Sequence, residues 1–98
     1  MWARVSLYSG SPDSLDADLD YTRENIMPQV RELAGFQGIY AFADRDTGTT
    51  MSITLWDSEE DLRASEEAAN QMRSDSTQHA GGSVVSVERY EVAYNELR

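Results

Sequence analysis

The chain has 98 residues, a formal net charge of -10 and no cysteine or lysine. This length suits one domain, which we take to cover residues 1–98. The acidic balance argues against nucleic acid or an anionic membrane as partner, because both attract clustered basic side chains. Disulfides, thiolate nucleophiles and Schiff-base chemistry are excluded. With no signal peptide and no run near ~20 apolar residues, we expect a cytoplasmic protein that spans no membrane.

The first third of the chain predicts a strand followed by a long helix. Residues Trp2 to Tyr8 alternate with period two, as in a half-buried strand. Pro28 predicts a kink or an early stop in the helix, and Gly35 is a good C-terminal stop. The inner stripe of this helix recurs at spacings of three and four, at Leu15, Leu19, Thr22, Ile26, Val30 and Leu33.

The remainder predicts a hairpin, a second helix and a last strand. Phe36 to Ala43 and Thr49 to Trp56 alternate around the turn-forming residues Asp44 to Gly48. Ser58, followed by an acid three residues later, resembles a helix-capping box and starts a single alanine-rich helix. Ser83 to Tyr94 predicts a long final strand.

The predicted order, β-α-β-β-α-β, is that of a ferredoxin-like α+β fold. Such a chain forms a four-stranded antiparallel sheet with both helices on one face. The other face would then expose several large apolar side chains. We therefore expect a homodimer in which two sheets pack face to face, which gives a dimeric α+β barrel.

Trp56, at the end of the third strand, is the strongest candidate for a site. Its ring could stack on a flat ligand while its N–H binds an oxygen, or it could simply seal the core. A face of rings and hydroxyls would suit a small planar aromatic whose anionic oxygen Arg4 stabilises, or else a polar dimer interface. The residues whose alternating positions could join Trp56 on that face are Arg4, Tyr8, Tyr40, Ser52, Thr54 and Tyr90.

Two other features are weaker candidates. His79 could act as a general acid or base, or it could be a solvated histidine at a helix end. Asp16, Asp18 and Asp20 have the spacing that opens a calcium loop. Tyr21 and Met27 stand where such a loop needs Gly and Glu, so we expect no calcium site and no other metal site.

Several short motifs, in this order and at this spacing, resemble the antibiotic biosynthesis monooxygenase-like family of the dimeric α+β-barrel superfamily. They are Leu33 to Gly38, the hairpin with Asp44 and Gly48, Trp56-Asp57-Ser58-Glu59-Glu60, and Val87 to Val92. The resemblance implies a homodimer with a tryptophan lining a substrate cleft. Some members oxidise polycyclic phenols to quinones with oxygen alone, others degrade haem, and many have no assigned activity.

Two functions follow as hypotheses. The first is a cofactor-independent monooxygenase acting on a small phenolic or polycyclic aromatic. In it Trp56, Arg4 and a tyrosine would stabilise the anion, and His79 would move a proton. The second is a non-catalytic homodimer that binds a small ligand or another protein. Haem degradation is disfavoured, because Ser65 and Glu66 stand where that branch of the family places a histidine.

Overall fold

The protein, described by a computed structural model, forms a four-stranded antiparallel sheet with strand order β2-β3-β1-β4. The structure describes residues 1–80 and 82–98, without the side chains of residues 79 and 80. The helices cover one face of the sheet, so the predicted ferredoxin-like α+β fold is confirmed. The strands are β1 (Trp2–Ser9), β2 (Phe36–Asp44), β3 (Thr49–Trp56) and β4 (Ser83–Glu91).

The first helical segment is continuous but changes its winding along its length. A 3₁₀ turn at Pro12–Ser14 leads into α1 (Leu15–Tyr21), a π-helical turn (Thr22–Ile26) and α2 (Met27–Val30). The wide turn lies directly before Pro28, which lacks an N–H and crowds the preceding turn. The disturbance predicted at Pro28 therefore takes the form of a π turn, and the helix continues to Val30.

The second helical segment is two helices rather than the single one predicted. α3 (Glu59–Ala64) and α4 (Glu66–Ala80) are separated at Ser65, whose backbone angles are φ -84 and ψ -6. Ser58 caps α3 as predicted, because its Oγ accepts a hydrogen bond from the Asp61 N–H at 3.1 Å. The break at Ser65 has a tertiary cause, which appears at the functional site.

Strand register divides the sheet into a hydroxyl-rich inner face and an apolar outer face. On the inner face Arg4 lies opposite Thr54, and Ser6 lies opposite Ser52. A β-bulge between Phe36 and Gly38 brings Phe36 to the inner face as well. The outer face carries Val5, Leu7, Tyr40, Phe42, Met51, Ile53 and Leu55.

The inner face meets a small apolar core on the helices. Ile26, Met27, Val30 and Met72 form its buried centre. The last strand ends at Glu91, earlier than the predicted Tyr94, although the Val92 N–H still donates to the Met1 carbonyl at 2.9 Å. The segment from Glu91 to Asn95, which we expected to extend the sheet toward a second subunit, is therefore not part of the sheet beyond Glu91.

We expect Gly48→Ala to destabilise the fold and Gly38→Ala to leave it nearly unchanged. Gly48 has φ +81, and an added Cβ would lie 2.6 Å from the Ser11 carbonyl carbon. Strain and contact together should cost about 2 kcal/mol or more, whereas Gly38 has open space and an ordinary φ. Thermal unfolding measures both, at roughly 4–8 °C per kcal/mol. Equal melting temperatures for the two variants would contradict this account of the hairpin.

Candidate functional site

A cavity of about 160 Å³ lies between the inner face of the sheet and the helices. The helices contribute mostly apolar walls, including Leu15, Ile26, Val30 and Met72. The strands contribute a different chemistry, because their inward positions carry hydroxyls, one guanidinium and one indole. These strand residues are Arg4, Ser6, Tyr8, Thr50, Ser52, Thr54 and Trp56.

Arg4 is the most heavily constrained side chain in this wall, with 3% of its surface exposed. Its Nη2 donates to the Leu62 carbonyl at 2.9 Å and to the Ser65 Oγ at 2.8 Å. The Ser65 Oγ in turn donates to the same Leu62 carbonyl at 2.7 Å. The guanidinium thus occupies the break between α3 and α4 and adds a further donor to the Leu62 carbonyl, which also accepts from the Ser65 N–H at 3.2 Å.

Glu66, the first residue of α4, supplies the counter-charge. Its Oε1 lies 3.2 Å from the Arg4 Nη2, and Arg89 on β4 donates to both its carboxylate oxygens at 2.7 Å. The hydrogen bonds from Arg89 and the charge of Arg4 lower the pKa of Glu66 to about 2. We call Arg4, Leu62, Ser65, Glu66 and Arg89 the Arg4 cluster.

One hydrogen-bond donor in the Arg4 cluster is unsatisfied among the described residues. The Nε–H of Arg4 is buried and has no hydrogen-bond partner among the described residues. Burial lowers the pKa of Arg4, and Glu66 partly offsets this effect. A buried guanidinium N–H without an acceptor is costly, so an oxygen-bearing ligand in the cavity is a natural partner for it.

Trp56 is buried beneath this cluster, with 1% of its surface exposed. Its ring centroid lies 5.5 Å from the Arg4 Cζ, within range for a cation–π contact. Phe36 meets the ring edge-on at 5.6 Å. The indole N–H donates to the Thr54 Oγ at 3.0 Å, so in this structure it is already engaged. Trp56 therefore both lines the cavity and closes the core, the two roles that the sequence leaves open.

A second buried guanidinium, that of Arg73 on α4, also lines the cavity. Its Nη2 donates to the side-chain amide oxygen Oδ1 of Asn70, and 9% of its surface is exposed. Among the described residues no carboxylate oxygen lies within 4.0 Å of it, which distinguishes it from Arg4. Arg73 is thus a buried cation without an anionic partner in the described part of the chain.

The structure brings five of the predicted site residues together at the cavity: Arg4, Tyr8, Ser52, Thr54 and Trp56. It does not bring Tyr40 and Tyr90 to them, so the prediction of a single shared face is wrong for these two. Tyr40 pairs with Ile53 and Tyr90 pairs with Ala3, which places both on the outer face, 43% and 55% exposed. The side chain of His79 lies outside the described residues.

Several polar residues of the site were not predicted, among them Ser6, Thr50, Ser65, Glu66, Arg73 and Arg89. From the sequence, Ser65 and Glu66 stand out only because they replace the family histidine. The register places Arg89 beside Arg4 on the neighbouring strand. Two adjacent guanidinium groups are stabilised by a carboxylate that contacts both of them. The sequence alone does not show that these two arginines are adjacent, because this depends on the register of β1 and β4.

The described residues contain no group of three or more His, Cys, Asp and Glu that could hold a metal ion. Within the same residues no helix has the length and apolar character needed to cross a membrane.

Two uncharacterised proteins of Mycobacterium tuberculosis are similar in sequence. One is 27% identical over 86 residues, which covers 88% of this chain and 38% of the relative. The other is 28% identical over 93 residues, which covers 95% of this chain and 39% of the relative. The chain therefore spans less than two fifths of the length of these relatives. No protein-family model matches it.

Solved structures share the fold over nearly the whole chain. A monooxygenase from the gene ActVA-Orf6 of Streptomyces coelicolor, in complex with nanaomycin D, has a TM-score of 0.78 and 14% identity, covering 99% of this chain and 91% of its own. SnoaB, a cofactor-independent oxygenase from Streptomyces nogalater, has a TM-score of 0.68 and 13% identity. The match covers 98% of this chain and 95% of SnoaB. A dimeric ferredoxin-like protein from an uncultured marine organism has a TM-score of 0.74 and 11% identity, and the match covers all of both chains.

At these identities the likeness shows the fold. Solved structures described as antibiotic biosynthesis monooxygenases share this fold as well, as the resemblance in the sequence implies.

We expect Glu66→Gln to lower the free energy of unfolding by about 2 kcal/mol at neutral pH, because it leaves the buried Arg4 without its counter-charge. The ordinary pKa of 4.5 falls to about 2 in the fold, so the stabilisation by Glu66 is complete above pH 4.5 and is lost as the pH falls toward 2. The difference between wild type and variant should therefore shrink on acidification. Urea unfolding at neutral pH and at about pH 3 measures it.

Glu59→Gln is the matched control, since Glu59 forms an exposed ion pair with Arg63 on α3. Its loss should cost less than about 0.5 kcal/mol. Similar losses for the two variants, or a gap for Glu66→Gln that stays constant on acidification, would contradict the role given to Glu66.

Proposed function

We propose that this chain is a cofactor-independent monooxygenase that oxidises a small phenolic compound bound in the cavity. The observation that carries the proposal is the buried Arg4, whose Nε–H lacks a partner at the wall of a largely apolar cavity. A phenolate oxygen is an acceptor that would satisfy this donor, while the ring lies among apolar side chains. The fold shared with oxygenases from two Streptomyces species supports this proposal.

The chemistry needs only the substrate and oxygen. A phenol with hydrogen at a ring carbon ortho or para to its oxygen reacts with one O₂ to give a quinone and one water. The phenol supplies the electrons: one oxygen atom forms the new carbonyl, and the other leaves as water with the two hydrogens lost. The phenolate form gives up electrons more readily than the phenol. A group that stabilises the phenolate therefore assists the reaction.

Each cavity residue has a role that follows from its contacts. Arg4 would stabilise the phenolate, and the ring of Trp56, fixed by Thr54 and Phe36, would form one wall of the pocket. The hydroxyls of Tyr8 and Ser52 would orient the substrate oxygens. From the sequence we assign the transfer of the phenolic proton to His79.

A non-catalytic ligand-binding role is the second candidate, and one observation favours it. Glu66 is the carboxylate that contacts Arg4, and with a pKa of about 2 it cannot accept a phenolic proton at neutral pH. A cavity that binds an already ionised ligand would need no base. Binding without oxygen consumption would favour this role over the first.

Oxygen uptake with a panel of phenols, hydroquinones and anthrones tests catalysis. We expect uptake with quinone formation, and a fall in kcat/KM of about 100-fold in Arg4→Gln, because a buried stabilising donor is removed. Trp56→Phe keeps the ring shape and should also slow turnover. Arg45→Gln, in an exposed ion pair with Asp16, is the control. Rates equal to wild type in both cavity variants would contradict the proposal. The absence of oxygen uptake with every compound in the panel would also contradict it.

We also propose a homodimer that pairs through the outer face of the sheet. On β1, β2 and β3 this face is apolar, and Tyr40 and Phe42 stack on it with ring centroids 6.0 Å apart while remaining exposed. An apolar sheet face of this kind gains stability when a second copy covers it. The description of a solved structure with this fold as dimeric supports pairing of two chains.

Light scattering should give twice the 11.0 kDa mass of one chain at micromolar concentration. Phe42→Glu should give a folded monomer, because it places a charge in the dimer contact. Ser74→Glu adds the same charge at an exposed position of α4 and should remain dimeric. A wild-type protein of single-chain mass would refute the dimer.

A further inference from the structure

We propose that the cavity selects a single-ring phenolic acid: one aromatic ring with a phenolic oxygen at one end and a carboxylate at the other. This inference rests on the proposed function, because it takes the phenolic oxygen to lie at Arg4. It adds the number of rings and a second recognition point, the guanidinium of Arg73.

The size of the cavity sets the number of rings. At about 160 Å³ it is close to the ~150 Å³ of an engineered apolar cavity that accommodates benzene. Ligand pockets for larger molecules occupy about 300–1,000 Å³. One substituted ring fits the available space, whereas a fused polycyclic compound would require the helices to move away from the sheet.

The positive charge of Arg73 indicates that the second substituent of the ligand is a carboxylate. This guanidinium is buried in the cavity wall, and its Nη2 donates a hydrogen bond to the uncharged amide oxygen Oδ1 of Asn70. Among the described residues it has no carboxylate within ion-pair distance. Arginine matches a carboxylate with two parallel hydrogen bonds, so an acid group on the ligand would supply the missing charge.

The spacing along α4 places the two guanidinium groups at different points of the cavity. Glu66, which contacts Arg4, and Arg73 are seven residues apart on α4 and lie on the same side of the helix. Seven residues rise about 10 Å along the axis. The two guanidinium groups therefore meet the cavity at different positions along α4, so one ligand can contact both through oxygen substituents at its opposite ends. The carboxylate of Asp18, also at the cavity, accepts from the Ser14 hydroxyl at 3.1 Å.

Calorimetric titration of the wild-type protein with four compounds tests the proposal: 4-hydroxybenzoate, its methyl ester, 4-methylphenol and 6-hydroxy-2-naphthoate. We expect 4-hydroxybenzoate to bind about tenfold or more tightly than the ester or 4-methylphenol, because only the acid can form the charge-assisted bonds. The two-ring acid should bind about tenfold or more weakly than the one-ring acid. These comparisons need no variant.

Arg73→Gln locates the effect. It should reduce the advantage of the acid over its ester by about tenfold, since the amide cannot balance a carboxylate. Arg63→Gln is the matched control, because Arg63 is an exposed arginine on α3 that pairs with Glu59. It should leave the advantage unchanged, and circular dichroism checks that both variants are folded.

The outcomes separate this inference from the proposed function. If the ester and 4-methylphenol bind as tightly as the acid, the acid preference is wrong while the phenolic site stands. If the naphthoate binds as tightly as 4-hydroxybenzoate, the single-ring limit is wrong. If the acid advantage persists in a folded Arg73→Gln, Arg73 is not its source and the proposal fails. If none of the four compounds binds, and none of the phenol panel is oxidised, the proposed function itself fails.

Discussion

The buried guanidinium of Arg4 is the interaction on which the rest of this structure depends. It arises from β1, one of the two central strands of the sheet, yet its partners lie on α3, at the break after it and on α4. Burial of a charge is costly unless it is paired, and Glu66 supplies the pairing. The break between α3 and α4 presents the Leu62 carbonyl and the Ser65 hydroxyl to Arg4 at one point. The cluster therefore fixes how the helices sit on the sheet.

That constraint explains the unequal faces of the sheet. A guanidinium and an indole can lie inward because the Arg4 cluster engages the guanidinium and Thr54 accepts from the indole N–H, and the remaining inner surface borders a cavity. The outer face, which carries no such polar network, is apolar and partly exposed. The same division that supports a ligand site on one side of the sheet supports pairing of two chains on the other.

The sequence predicted local structure well and tertiary effects poorly. The hairpin, the strand from Thr49 to Trp56 and the Ser58 cap depend on neighbouring residues, and all three agree with the structure. The break at Ser65 depends on Arg4, which lies 61 residues away in the sequence. The periodicity of neighbouring residues carries no information about so distant a contact. Tyr40 was grouped with Trp56 although alternation within one strand does not say which face it shares with another strand. Only the register, with its bulge near Gly38, places Tyr40 outside.

Arginine side-chain NMR tests the central claim most directly, because the Nε–H of Arg4 can be observed as an individual resonance. If this proton is buried and meets the ligand oxygen, it should exchange slowly with water, and its resonance should shift on titration with 4-methylphenol. Toluene, which has the same ring and methyl group but no oxygen, should leave it much less affected. An Arg4 Nε–H that exchanges as fast as that of the exposed Arg63, or that responds equally to both compounds, would contradict the account.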